Sequence, residues 1–376
     1  MVIREVEDVP EFVLSAEYLE ENHGLAPAMK VDYHVEKDMA MRSADWSNPY
    51  IKGELLDFFK MMDDHTVIHF VLSCQQQQAA WKEPFHHADD GMTAWNATHR
   101  DYPASYSVLN DMTRTLSWAL LHQAGSLTYP HHDTSGQLMW LQNYCRYKFW
   151  VVCRMKPELL DQLPTWKVAK RMAKVFESKY FLATENLNMK SMPMFHQQPL
   201  KWQNFVDTEL VVVGPGDHMI MSPGTAHTMY TPVQAFTKGG HFFHFNTMHY
   251  TEMSRQIDVE FSNIATNEGH HHALDFMSRM MVALPMNMHT VNKRPLVALI
   301  IQIIDSDEYI SNRPEQKEAK KIEKTFRKSS LYLDTLQIAK SLMEKLGFRD
   351  IQDTVDYLDK SSALDVEVKV RELVNS

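Results

Sequence analysis

Between residues 105 and 250 the chain is cut into short β-rich runs by strong turn signals, and this rhythm limits its possible folds more than any other feature. Leu138 to Val152 carries Trp, Tyr, Phe and Val at strand-like density. Glu209 to Val213 stops at Gly214-Pro215-Gly216-Asp217, and His218 to Met221 stops at Ser222-Pro223-Gly224. Gly239-Gly240 opens a further run, His241 to Asn246. Several strands of this length at this spacing predict an antiparallel sandwich or barrel. Trp166 to Lys179, between them, has a helical pattern.

The flanks differ from this centre. In residues 1–104, Leu55-Leu56-Asp57-Phe58-Phe59 reads as a helical face and Thr66 to Leu72 as a buried strand. Residues 251–376 are helical in pattern, with Leu333, Leu336, Ile338, Leu342 and Leu346 partly on one face. The expected organisation is a mixed α/β region at 1–104 packing on the core, a β core at 105–250, and a helical region at 251–376.

Composition removes several classes. Apolar residues are 44% of the 376 and charged residues 23%, which excludes global disorder. Lys and Arg number 38 against 48 Asp and Glu, a net charge of −10, which does not suit a chain whose main partner is nucleic acid phosphate. The longest apolar stretch, Leu296 to Ile304, is broken by Gln302 and falls far below the ~18 residues needed to span a bilayer. The first eight residues are charged where a secretory leader needs an apolar run. Three cysteines, with no C-x-x-C, match a reducing compartment. An intracellular protein is expected, in nucleus or cytoplasm.

With 20 histidines in the chain, no single one is informative, and spacing has to decide. In His131-His132-Asp133 the first and third side chains leave one face of an extended segment. Such a pair can chelate one metal. Non-haem Fe(II) oxygenases use two His and one carboxylate in this way. The same H-x-[DE] pattern occurs at His34, His87 and His99, but only the pair at 131 and 133 is followed by a long aromatic and β-branched strand. That strand carries Lys148, a cation in an apolar stretch, which calls for a buried anion as its partner. A third ligand is offered by His227, at the end of Gly216-Asp217 to Pro223-Gly224-Thr225-Ala226-His227.

From about Thr128 to Asn246 the sequence resembles a JmjC domain of the cupin superfamily, the Fe(II)/2-oxoglutarate oxygenases, and most of all the compact JmjC proteins of fungi. The resemblance rests on H-x-D at 131–133, on Tyr147-Lys148-Phe149-Trp150-Val151-Val152, on Asp217 to His227, and on Gly239-Gly240 followed by Asn246. Arg146 departs from it, standing where a glycine is common. It implies a double-stranded β-helix, or jelly-roll cupin barrel, with flanking helices. It also implies Fe(II) on His131, Asp133 and His227, with 2-oxoglutarate and O₂ as cosubstrates. Lys148 and Thr128 would then bind the distal carboxylate of 2-oxoglutarate, and Asn246 would be a polar site residue on the strand after the last ligand. Trp140, Tyr144 and Trp150 are candidate cavity walls. His241, His244 and His249 are further candidates, with His244 and Asn246 sharing strand parity.

The implied reaction is hydroxylation of a protein or small molecule, with release of succinate and CO₂. Demethylation of N-methyl-lysine is the alternative. Three cysteines are too few for the zinc modules that JmjC demethylases usually carry, which favours the hydroxylase. A non-catalytic cupin binding module is the alternative from another class, and Lys148 argues against it. By analogy with some JmjC hydroxylases, the C-terminal helices are a candidate homodimer contact.

Overall fold

Two antiparallel sheets carry most of the strands that the turn signals mark out. The computed structural model describes residues 1–4, 11–35, 50–75, 85–104, 115–160, 167–172, 206–261, 271–287, 290–310, 317–360, 366–370 and 373. In chain order the strands are β1 (Val2–Ile3), β2 (Lys30–Val35), β3 (Ile51–Glu54), β4 (His69–Gln75), β5 (Trp118–His122), β6 (Ser126–His131) and β7 (Leu138–Cys145). They continue with β8 (Lys148–Met155), β9 (Val206–Val213), β10 (His218–Met221), β11 (Ala226–Thr231) and β12 (Ala235–Phe242). One sheet runs β1-β10-β7-β12-β5-β4-β2-β3 and the other β6-β11-β8-β9.

Alternation explains how the two sheets meet. Trp118 and Leu120 of β5, Met139 and Leu141 of β7, and Met219 and Met221 of β10 project from the large sheet. They pack against Trp150 and Val152 of β8, Val213 of β9 and Met229 of β11 from the small one. This shared apolar layer is the interior into which the site is built.

Two local expectations are corrected. Gly239-Gly240 does not open a strand but lies inside β12. A Cβ at Gly239 would strike the Trp118 ring, and one at Gly240 would strike the Leu116 carbonyl and the Trp140 indole. Glycine is placed there because two indoles lie against the backbone. The second is extended: residues 1–104 pack on the core, with Leu19, Leu55 and Phe58 against Ala119, Leu121 and Phe236, and they also lengthen its large sheet. β2, β3 and β4 extend the large sheet edge to edge, through Phe70↔His122 and Val71↔Leu121, while β1 pairs with β10 at its far edge.

Helices cover the ends and one flank. They are α1 (Ala16–His23), α2 (Leu55–Met61), α3 (Asp90–Thr98), α4 (Pro157–Leu160), α5 (Met248–Phe261), α6 (Ala273–Asn287), α7 (Lys293–Ile304), α8 (Lys317–Phe326), α9 (Ser330–Lys345) and α10 (Ile351–Lys360). Of the Trp166–Lys179 pattern, residues 167–172 are helical and the remainder lies outside the described residues. The α7 helix is apolar all round, buried from Pro295 to Ile303, and forms the centre of a C-terminal cluster. Ala94 of α3 packs into this cluster, so position 104 is not a boundary in space. A short strand pair, β13 (Thr290–Asn292) with β14 (Glu367–Lys369), was not visible in the pattern. The fold is thus a mainly β core with flanking and C-terminal helices. Among the described residues no helix is long and apolar enough to cross a membrane.

Candidate metal centre

The site begins with a register shift between β6 and β11. His227 of β11 pairs with His131, and Met229 pairs with Thr128, so two residues of β6, at 129 and 130, oppose the single residue 228 of β11. Regular alternation would send Thr128 and His131 to opposite faces. The bulge returns both to the interior. Pro130 is tolerated there because β6 is an edge strand.

His131 and His227 then face each other with ring centroids 4.3 Å apart. With Asp133 they place three ligand atoms within 4.8 Å of one another, a group that can hold a metal ion. His227 Nδ1 lies 3.0 Å from the Thr225 carbonyl oxygen. An Nδ1–H donated there leaves Nε2 as the metal-facing lone pair. Burial lowers the pKa of His227, which favours the neutral, ligating imidazole. Burial alone would raise Asp133. The surrounding His241, His227, His131 and His132 outweigh it and hold the carboxyl ionised.

Asp133 is aimed by the loop that follows β6 and by helix α5, which clamps that loop. His132, fully buried, points away from the centre. Its Nε2 is 3.1 Å from Asp258 Oδ1 and its Nδ1 is 3.1 Å from Ser254 Oγ. Asp258 also accepts the Ser135 N–H at 2.9 Å, and Thr251 Oγ1 donates to the Gly136 carbonyl at 2.6 Å. Ser135 and Gly136 have φ of 63° and 70°. A Cβ at Gly136 would lie 2.6 Å from Thr251 Cα, so the close approach of α5 requires glycine. Because α5 orients the ligand loop without touching the metal position, Asp258→Ala is expected to lower metal affinity by about 10- to 100-fold. A competitive Mn(II) titration measures this, and unchanged affinity would mean that the loop holds its shape without the helix.

The second cluster lies along β8. Lys148, Trp150 and Val152 share the inner face, and Val152 is the register partner of His227. Lys148 is fully buried, and burial lowers its pKa to about 7. Thr128 is buried, and its hydroxyl accepts the Met229 N–H at 2.9 Å. Trp150 lines the interior, 5.5 Å from the His227 ring.

Other expected positions are corrected. Asn246 does not join the site: β12 ends at Phe242, and Asn246 stands exposed in a 3-10 turn over Phe245–Thr247. The chain leaves the sheet because Phe243 and Phe245 are buried in the C-terminal cluster. For the same reason His244 is off the strand, 3.9 Å from Asp90. His249 stacks on Tyr250, outside the centre. Trp140 is on the outer face of β7 with Leu138 and Phe242, and Tyr144 packs beside Phe236 in the N-terminal cluster.

Two further residues lie close to the site: His241, a candidate from the sequence, and His122, which the sequence did not single out. His241 Nδ1 is 4.0 Å from Asp133 Oδ2. His122 Nδ1 is 3.1 Å from Lys148 Nζ. Each lies on the inner parity of its strand, 237-239-241 on β12 and 118-120-122 on β5, so alternation was the available signal.

Comparison of the chain with models of known protein families and with curated proteins finds no match.

Proposed function

We propose that this chain is an Fe(II)- and 2-oxoglutarate-dependent oxygenase of the JmjC kind, hydroxylating a protein or small-molecule substrate with release of succinate and CO₂. One observation carries the reading: the ligand triad and a buried lysine with no acidic partner among the described residues share one interior face. Successive strands support a jelly-roll barrel. β5, β7, β10 and β12 lie in the large sheet, and β6, β8, β9 and β11 in the small one, so the chain passes repeatedly between the two.

The donor set fits the cofactors. Two imidazoles and a carboxylate suit Fe(II) and leave positions for a chelating cosubstrate and O₂. From Val152, beside the metal position, to Lys148 is four residues, about 13 Å along the strand. A lysine side chain and a five-carbon diacid together bridge that gap. Buried polar atoms with no hydrogen-bond partner among the described residues line it, including Trp150 Nε1, Ser126 Oγ and Thr231 Oγ1.

Fe(II), when bound, supplies the activation of O₂. The chain's own residues do the rest. His131, Asp133 and His227 hold the metal on one side, and Lys148 gives the distal carboxylate a charge-assisted hydrogen bond. The apolar layer of Met139, Met219, Met221 and Met229 excludes water from the reacting end.

Anaerobic titration of metal-free protein with Fe(II) and then 2-oxoglutarate tests the reading. A visible metal-to-ligand charge-transfer band is expected, absent in His131→Ala and weakened in Lys148→Ala. A folded wild-type protein giving no band would overturn it.

A further inference from the structure

The Lys148 ammonium has an unusual neighbour. Buried lysines are ordinarily paired with acids, yet among the described residues its one recorded hydrogen-bond partner is the His122 ring, at 3.1 Å. Both side chains are fully buried. His122 stacks on Phe70, with ring centroids 5.6 Å apart and planes 8° from parallel. Its orientation is therefore fixed by packing rather than by Lys148.

Burial, then Lys148, then His34 push the His122 pKa well below its usual value, so the ring is neutral. A neutral imidazole accepting from Lys148 at Nδ1 carries its proton on Nε2. That Nε2 is buried and has no hydrogen-bond partner among the described residues. The hydroxyls of Ser126 and Thr231, both fully buried, are in the same condition. Register brings these groups together. Thr231 pairs with Ser126. The β11–β8 ladder reaches Tyr230↔Phe149, so Thr231 and Lys148 are the next residues along. Thr231 shares the inner parity of Met229, as Lys148 shares that of Trp150. Three unmatched donors and the Lys148 ammonium converge on one end of the interior, with no carboxylate there among the described residues. Buried polar groups left unmatched are costly, and an anion satisfies all of them at once.

We propose that His122 is a positioning residue for a carboxylate pocket: its ring accepts from Lys148 Nζ and fixes the ammonium, and the ammonium, the His122 Nε2–H, Ser126 and Thr231 receive one carboxylate of a short dicarboxylate. The assignment rests on the oxygenase reading for the identity of the natural diacid, but the pocket is independent of the metal.

The test is calorimetric binding of glutarate to the whole chain, metal-free and with Mn(II). His122→Phe keeps the stack on Phe70 and removes both ring nitrogens. It should weaken binding roughly tenfold or more, the loss expected for a hydrogen bond involving a charged group. His122→Asn puts an amide oxygen near the Nδ1 position and should restore most of the affinity. A wild-type pH series gives a readout that does not depend on any variant folding. The groups facing Lys148 are His122 and Cys145, with His34 beyond His122. Lys148, near 7 without ligand, must be protonated to hold the anion. Affinity should be greatest below pH 7 and fall toward tenfold per unit above it.

Glutarate bound equally well by His122→Phe, a flat pH profile, or no binding under either condition would each overturn the proposal. Absence of Fe(II) binding with glutarate binding still dependent on His122 would overturn the oxygenase reading alone.

Discussion

Asp133→Asn is expected to abolish metal-dependent stabilisation while leaving the metal-free fold nearly unchanged. The carboxylate is the one anionic member of the triad, and an amide of the same shape is a poor ligand. Bound metal stabilises the folded state by about 2.7 kcal/mol at a hundred times its dissociation constant, a rise of several degrees in Tm. The variant should show no such rise with anaerobic Fe(II) or with Mn(II). Cosubstrate turnover should fall at least about a hundredfold, since outer-shell changes alone cost up to that much. The metal-free Tm should change little. The lost attraction to His241, His227, His131 and His132 is offset by no longer burying a charge. A variant that still gains stability from metal would place the ion elsewhere.

Gly240→Val should cost about 3 kcal/mol or more, the largest stability loss anticipated for a single exchange in the β core. β12 lies between β5 and β7, so neither neighbour can move without breaking a ladder. The new Cβ meets the Leu116 carbonyl oxygen, which is backbone, and Trp140 Nε1 at 2.6 Å. Overpacking against backbone is not relieved by a rotamer change. Gly24→Ala is the control. Its φ of 65° strains an alanine, but nothing lies within 4 Å, so only about 1 kcal/mol is expected. Thermal unfolding of the two variants compares them directly, and equal losses would show that crowding at Gly240 is relieved.

The metal triad was legible because its signal is local. H-x-D needs only period-two geometry, and His227 follows a Pro-Gly turn that fixes where β11 begins. Lys148 was visible as one cation in an apolar strand. His122 was not singled out, and His241 was named only beside His244 and His249, since their significance lies in which face of β5 and β12 is inner, and both faces of the large sheet are apolar. Trp140 and Tyr144 were misplaced for the same reason. Asn246 failed differently. Its parity was counted along a strand that stops at Phe242, because Phe243 and Phe245 gain more by burial among the C-terminal helices. The pairing of the N-terminal strands with the core was hidden by distance along the chain: Thr66 to Leu72 reads as a strand, but pairing such as Phe70 with His122 leaves no mark in either segment.

The bulge in β6 makes the two ends of the pocket a single heritable unit. Loops accept insertions readily, whereas one residue added or removed at positions 129–130 would turn either Thr128 or His131 out of the interior. Length at this point therefore matters more to the geometry of the site than the identity of the two residues that fill it. Loops around the β core can vary in length, but the three-residue step from Thr128 to His131 has to be kept whole for both side chains to stay inside.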